Sequence, residues 1–159
     1  MYDQGNAEEL RHAFWKDLAD SPFVMLQLDD DPDTAAPMTA QLDKDANSAI
    51  WFFTYKDNRF AEKGAATATF ASKGHDLFAR FHGRLVEETS RERLEKEWSN
   101  TVEAWFPNGR NDPKLLMLRM DLGEASIWSG KLGPFTTAKM LLGMDITDDV
   151  KGGKADTSL

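Results

Sequence analysis

The sequence predicts a mainly β fold, a small antiparallel barrel of six or seven strands with flanking helices at the start, in the middle and near the end. Three observations predict it. Short runs of aromatic, aliphatic and β-branched residues recur between polar turns, one run alternates cleanly in polarity, and few stretches carry a helical pattern. The 159 residues suit one domain with its own core. We expect that domain over residues 1–145, with 146–159 as a flexible C-terminal tail.

Leu10, Phe14 and Leu18 recur every fourth residue behind Glu8 and Glu9, which predicts a helix from Asn6 to Ala19, stopped by Ser21-Pro22. Phe23 to Leu28 is nearly all apolar and reads as a strand covered on both faces. After the acidic turn Asp29 to Asp33, Thr34 to Leu42 is the returning strand, with Pro37 marking an edge or a bulge. Ala49 to Thr54 is the next strand, and Asn58 to Gly64 a brief helical stretch ended by glycine.

Thr67 to Ala71 continues the β pattern. The following strand places Leu77, Ala79, Phe81 and Leu85 on one face and Phe78, Arg80, His82 and Arg84 on the other. Thr89-Ser90-Arg91-Glu92 matches a capping box, and the stripe Leu94, Trp98 and Val102 predicts one helix ending at Trp105 to Gly109. Lys114 to Leu122 and Ala125 to Ser129 read as a hairpin split at Gly123-Glu124, and Phe135 to Met144 as a short terminal helix.

Composition excludes several functions. The formal net charge of −8 repels nucleic acid and anionic membranes. No segment approaches the roughly 20 apolar residues of a membrane span, and residues 1–9 lack the pattern of an export signal, so we expect a cytoplasmic protein. Without cysteine there is no disulfide or thiolate chemistry. No glycine-rich phosphate loop, helical zinc motif or nucleophile elbow occurs, and His12, His75 and His82 predict no metal site.

The run Ile50 to Arg59 stands out because a bulky strand ends abruptly in hydroxyls, amides and cations. Thr54, Lys56 and Arg59 could offer a hydroxyl and positive charge to a phosphate, although a buried strand followed by a helix cap accounts for the same residues. Trp105 ends its helix at a sharp stop, where an aromatic can cover a flat ligand or meet a neighbouring subunit.

Five features give the chain a family likeness: Ala36-Pro37-Met38-Thr39, Trp51-Phe52-Phe53-Thr54, Arg59 five residues after that threonine, Gly83, and the stretch from Trp98 through Trp105-Phe106-Pro107-Asn108-Gly109 to Asp112-Pro113. On these it resembles the general stress protein branch of the pyridoxamine 5'-phosphate oxidase-like, FMN-binding split-barrel superfamily. The resemblance implies a six- to seven-stranded antiparallel split β-barrel that forms a homodimer and binds FMN, or FAD or another flavin-like ligand, between subunits.

It further implies a phosphate site at Thr54 and Arg59, assisted by Lys56 and Lys63. Pro37, Met38, Thr39 and Phe53 would lie along the ring, with Trp105 supplied by the partner. The function implied is that of a flavin-dependent oxidoreductase of general stress type. A carrier or sensor of flavin, deazaflavin or haem and a dimer that has lost its ligand are the alternatives. Residues typical of pyridoxamine phosphate oxidation itself are not evident. Two positions depart from the family pattern, with Ala36 in place of a common arginine and Phe60 in place of a lysine.

Overall fold

The computed structural model describes residues 2–4, 7–44, 48–130, 143 and 152–159. It contains eight strands: β1 (Tyr2–Gln4), β2 (Phe23–Leu28), β3 (Asp31–Thr39), β4 (Ala49–Tyr55), β5 (Gly64–Ala71), β6 (Leu77–Glu87), β7 (Leu115–Ser129) and β8 (Gly152–Ser158). Three α-helices accompany them, α1 (Ala7–Asp20), α2 (Arg91–Glu97) and α3 (Asn100–Trp105), with a 3-10 turn at Arg59–Glu62. The expected terminal helix, Phe135 to Met144, lies outside the described residues apart from Gly143, which sits in a turn.

Strands β2 to β7 form the barrel. Antiparallel ladders join β3 to β2, β2 to β5, β5 to β6, β6 to β7 and β7 to β4. A single bridge between Gln41 and Trp51 returns the end of β3 to β4. The other edge of β7 is shared: its first half, Leu115 to Asp121, pairs with β4, and its second half, Glu124 to Ser129, pairs with β8. This is a split barrel.

The core follows the predicted periodicities. Leu10, Phe14 and Leu18 of α1 are buried, and the Phe14 ring meets Phe70 and Phe81 edge-on at 6.0 and 5.4 Å. In β6 the face of Leu77, Ala79, Phe81 and Leu85 is buried while Phe78, Arg80, His82 and Arg84 are exposed. Strand β4 is buried on both faces, because Ile50 and Phe52 enter the barrel core and Trp51 and Phe53 enter a second cluster with Val102 and Met117.

Four sequence expectations are corrected. Strand β2 is covered on one face only, with Phe23 and Met25 exposed, because no helix packs outside it among the described residues. The expected hairpin is one continuous strand, β7, and Gly123-Glu124 sits at the register shift between the pairs Phe81–Ala125 and Gly83–Leu122. A Cβ on Gly83 would lie 2.5 Å from the Asp121 carbonyl, so the bulge needs glycine there.

The middle helix is two helices. Ser90, not Thr89, caps α2 by accepting from the Arg93 N–H, and Ser99 restarts the chain as α3 by accepting from the Val102 N–H. Finally, Gly152–Ser158, expected within the flexible tail, is an ordered strand paired with β7. Its composition is polar, yet Ala155 enters the core, Lys154 lies over the Trp128 ring, and Asp156 accepts from Ser126 Oγ at 2.6 Å.

Candidate functional site

The candidate site lies where the barrel splits. Past the Gln41–Trp51 bridge no ladder joins β3 to β4, and the two strands part around a cavity of about 310 Å³. Pro37, Met38, Thr39 and Gln41 line it from β3 and the residues after it; Phe53, Thr54 and Tyr55 line it from β4. Thr101, Val102, Trp105 and Phe106 close it from α3.

The walls are aromatic for a reason visible in the packing. Phe53 meets Trp98 edge-on at 5.4 Å, Tyr55 meets Phe106 at 5.1 Å, and these contacts seat α2 and α3 on the outside of β4. Trp105 projects from the end of α3 and is 74% exposed, so its indole forms an open rim. Thr54 is buried, and it lines the cavity from β4. The Trp98 indole N–H is a buried side-chain donor without a partner among the described residues, in the aromatic cluster with Phe53 and Phe106.

The expected site residues therefore divide. Pro37, Met38, Thr39, Phe53, Thr54 and Trp105 line the cavity together, and Trp105 does so from the same chain as the others. Lys56, Arg59 and Lys63 do not line it. Arg59 and Lys63 instead border a separate polar cavity with Asp30, Asp31 and Glu62. There Arg59 donates from Nη1 to the Asp33 carbonyl at 2.9 Å and pairs through Nη2 with Asp31 Oδ2 at 3.4 Å, while Lys63 Nζ donates to the Ala61 carbonyl at 3.0 Å. Lys56 is exposed.

Five lining residues were not singled out from the sequence: Gln41, Tyr55, Thr101, Val102 and Phe106. Phe106 and Tyr55 had a signal, since each sits inside a stretch that already drew attention. Thr101 had none, because its role depends on the break between α2 and α3. The two departures also have physical reasons. Phe60 is a core residue, 2% exposed, where a lysine would be an unpaired buried charge. Ala36 packs against the core opposite Leu26.

A second electrostatic centre stands at the bridged end of the cleft. The Arg93 guanidinium lies 4.2 Å from the Trp51 ring centroid, donates to Glu97 Oε1 at 3.1 Å and forms a short ion pair with Asp43. Lys96 reaches the same Asp43 carboxylate at 2.7 Å. Burial raises the Glu97 carboxyl above its ordinary range, only partly opposed by Arg93, and hydrogen bonding to Asp43 holds the Arg93 proton more tightly.

Among the described residues no group of His, Cys, Asp and Glu could hold a metal ion, and no helix is long and apolar enough to cross a membrane. His82 is committed elsewhere: its Nδ1 lies 2.9 Å from Thr67 Oγ1, which donates to Asp29 Oδ1 at 2.6 Å.

Fold and cavity together define a split-barrel protein with an aromatic-walled cleft. The chain belongs to the pyridoxamine 5'-phosphate oxidase-like family, whose model matches residues 9–151. It is similar to the general stress FMN/FAD binding protein of Xanthomonas citri, at 41% identity and a TM-score of 0.73, over 80% of this chain and 93% of that one. A chain from Jannaschia sp. CCS1 assigned as general stress protein 26 superposes with a TM-score of 0.80 at 28% identity, over 96% and 99% of the two chains. General stress protein 26 of Bacillus anthracis shares the fold, with a TM-score of 0.63 at 13% identity over 75% and 93%. No curated protein matches the sequence.

Proposed function

We propose that this protein binds a flavin, FMN in the first instance, in the cleft between β3 and β4, and serves as a flavin-dependent oxidoreductase of the general stress type. The observation that carries the proposal is the cleft itself, an aromatic and aliphatic slot with the hydroxyl residues Thr39, Thr54, Tyr55 and Thr101 on its walls. A flat, largely apolar ring with polar edges fits such a slot. The Xanthomonas citri relative, described as binding FMN/FAD, supports the same ligand class.

The bound flavin would supply the redox chemistry. The chain's part is to seat and shield it. Met38, Phe53 and Phe106 exclude water from the slot, Thr54 offers a hydrogen bond, and Trp105 covers the open rim. Arg59, on the neighbouring polar cavity, is a cation that could turn to a phosphate, with Lys56 exposed nearer to Thr54 in sequence. No carboxylate, histidine or lysine lines the cavity, so the chain provides no obvious acid or base there. That observation favours a second reading, a flavin carrier without turnover.

We also propose a homodimer. Phe23, Met25 and Phe78, at 62%, 45% and 42% exposure, gather on the outer face of the β2–β5–β6 sheet beside Pro37, next to the cleft. A patch of this kind is what a subunit interface covers. Sedimentation of the purified protein should give twice the chain mass, and Phe78→Glu should give the monomer; a monomeric wild type sinks the dimer.

The flavin proposal is tested by titrating the purified protein with FMN and following the quenching of flavin fluorescence and the visible spectrum. Saturable quenching supports it, and reduction of the bound flavin by a nicotinamide donor separates the oxidoreductase from the carrier. Absence of quenching at any protein concentration overturns both readings.

A further inference from the structure

Arg59 stands beyond the end of β4, on the polar cavity next to the cleft. The Gln41–Trp51 bridge joins β3 and β4 at one point, β4 ends at Tyr55, and Arg59 opens the 3-10 turn that follows. The bridge ties β3 to β4 on the backbone, and the Arg59 side chain, donating to the Asp33 carbonyl, ties the turn after β4 to the first part of β3.

The carboxylate that helps to hold Arg59 there is built into its position. Thr34 Oγ1, buried, accepts the Leu28 N–H at 2.8 Å and donates to the Asp31 carbonyl at 2.7 Å, and Asp31 Oδ1 takes the Asp33 N–H at 3.2 Å. These bonds fix the turn between β2 and β3 and leave Asp31 Oδ2 facing Arg59 Nη2. Both terminal nitrogens of the fork that would grip a phosphate are thus occupied by the turn, one on a carboxylate and one on a carbonyl.

We propose that Asp31 is an internal competitor for the ligand's anion, holding Arg59 in a latched position that a phosphomonoester must displace. The proposal rests on the flavin reading above and adds to it a determinant of the choice between phosphorylated and unphosphorylated ligands. A latched Arg59 lowers the apparent affinity for the phosphorylated ligand by the fraction of molecules in which it is pinned. The pair is exposed, with side chains at 61% and 47%, so the latch is a weak one that a ligand can open.

The experiment measures FMN and riboflavin affinities for wild type and Asp31→Asn by fluorescence quenching at low salt. Asparagine keeps Oδ1 for the Asp33 N–H and removes the charge, so FMN should bind about threefold tighter, the factor expected of an exposed ion pair, while riboflavin stays unchanged. Asp31→Ser must shift FMN in the same direction, and the gap between wild type and either variant should close at high salt. An FMN affinity that stays the same or falls in the variants, or an equal shift for riboflavin, overturns the latch while leaving the flavin site intact. A wild type that binds neither ligand overturns the flavin reading and the latch with it.

Discussion

Two arginines stand on either side of the β3–β4 split, one by its bridge and one by the turn after β4, and they differ in nearly everything except charge. Arg93, at the bridged end, is stacked on Trp51 and paired with Asp43 and Glu97, whose side chains are 4% and 6% exposed. Arg59, at the open end, is held by a carbonyl and one exposed carboxylate. Desolvated and shared among several partners, the first is costly to disturb and keeps α2 against β4; in water with one weak partner, the second costs little to move. A cation that must answer to a ligand belongs at the second kind of place.

The largest effect is expected where the comparison is sharpest. Arg93→Ala takes the guanidinium away from the buried carboxylates of Asp43 and Glu97, and should lower unfolding stability by about 3 kcal/mol in urea titrations. A loss below 0.5 kcal/mol, roughly that of an ordinary surface change, would erase the distinction between the two ends. Arg59→Ala is the complementary case. Stability should stay within about 0.5 kcal/mol of wild type, while FMN affinity falls by about 2 kcal/mol, roughly thirtyfold, with riboflavin affinity unmoved. Equal loss for both ligands would mean that Arg59 shapes the cleft rather than meeting a phosphate.

How far this was legible in the sequence depends on range. The barrel, the alternation of β6 and the candidate trio Pro37, Met38 and Thr39 follow from local pattern or family likeness, and that trio lines the cavity. The direction of Arg59 does not follow, because its partners lie 26 and 28 residues away, on β3, and meet it only once the turn after β4 has folded against that strand. The Asp43–Arg93 pair, 50 residues apart, was likewise invisible. Strand β8 was missed because only Ala155 enters the core, so seven polar or small residues carried no apolar signal. The continuity of β7 was missed because Gly123-Glu124 has turn composition but serves a bulge.

A smaller effect tests what Trp51 contributes at the bridged end. Its indole N–H donates to Glu88 Oε1 at 3.0 Å, and its ring carries the Arg93 guanidinium. Trp51→Phe removes the donor and weakens the stacking, while Glu88 keeps Arg119 at 3.4 Å. The expected loss is about 1.5 kcal/mol of stability. A tryptophan fluorescence change on acid titration that disappears in this variant would place the indole beside the ionic cluster in solution; an unaltered change would assign it to another tryptophan.

The smallest effect concerns Glu97, and its sign is the informative part. Burial raises this carboxyl above its usual pKa, more than its hydrogen bond to Arg93 lowers it; Asp43 raises it further and Lys96 lowers it. A group whose folded pKa exceeds its unfolded value contributes stability that is fully present below the unfolded pKa and is lost as pH rises through the folded one. Ionised Glu97 is therefore a net cost at neutral pH, tolerated because it completes the cluster around Arg93. Glu97→Gln keeps an acceptor for Arg93 and removes the titration, so it should be neutral to stabilising by about 1 kcal/mol at pH 7 to 8. Its advantage over wild type should shrink as pH falls toward the ordinary glutamate range, where wild-type Glu97 is protonated. Urea midpoints of both proteins across that window test this directly: an advantage that grows on acidification would show that the ion pair with Arg93, rather than burial, dominates, and the bridged end would then be held by charge in the same sense as the open one.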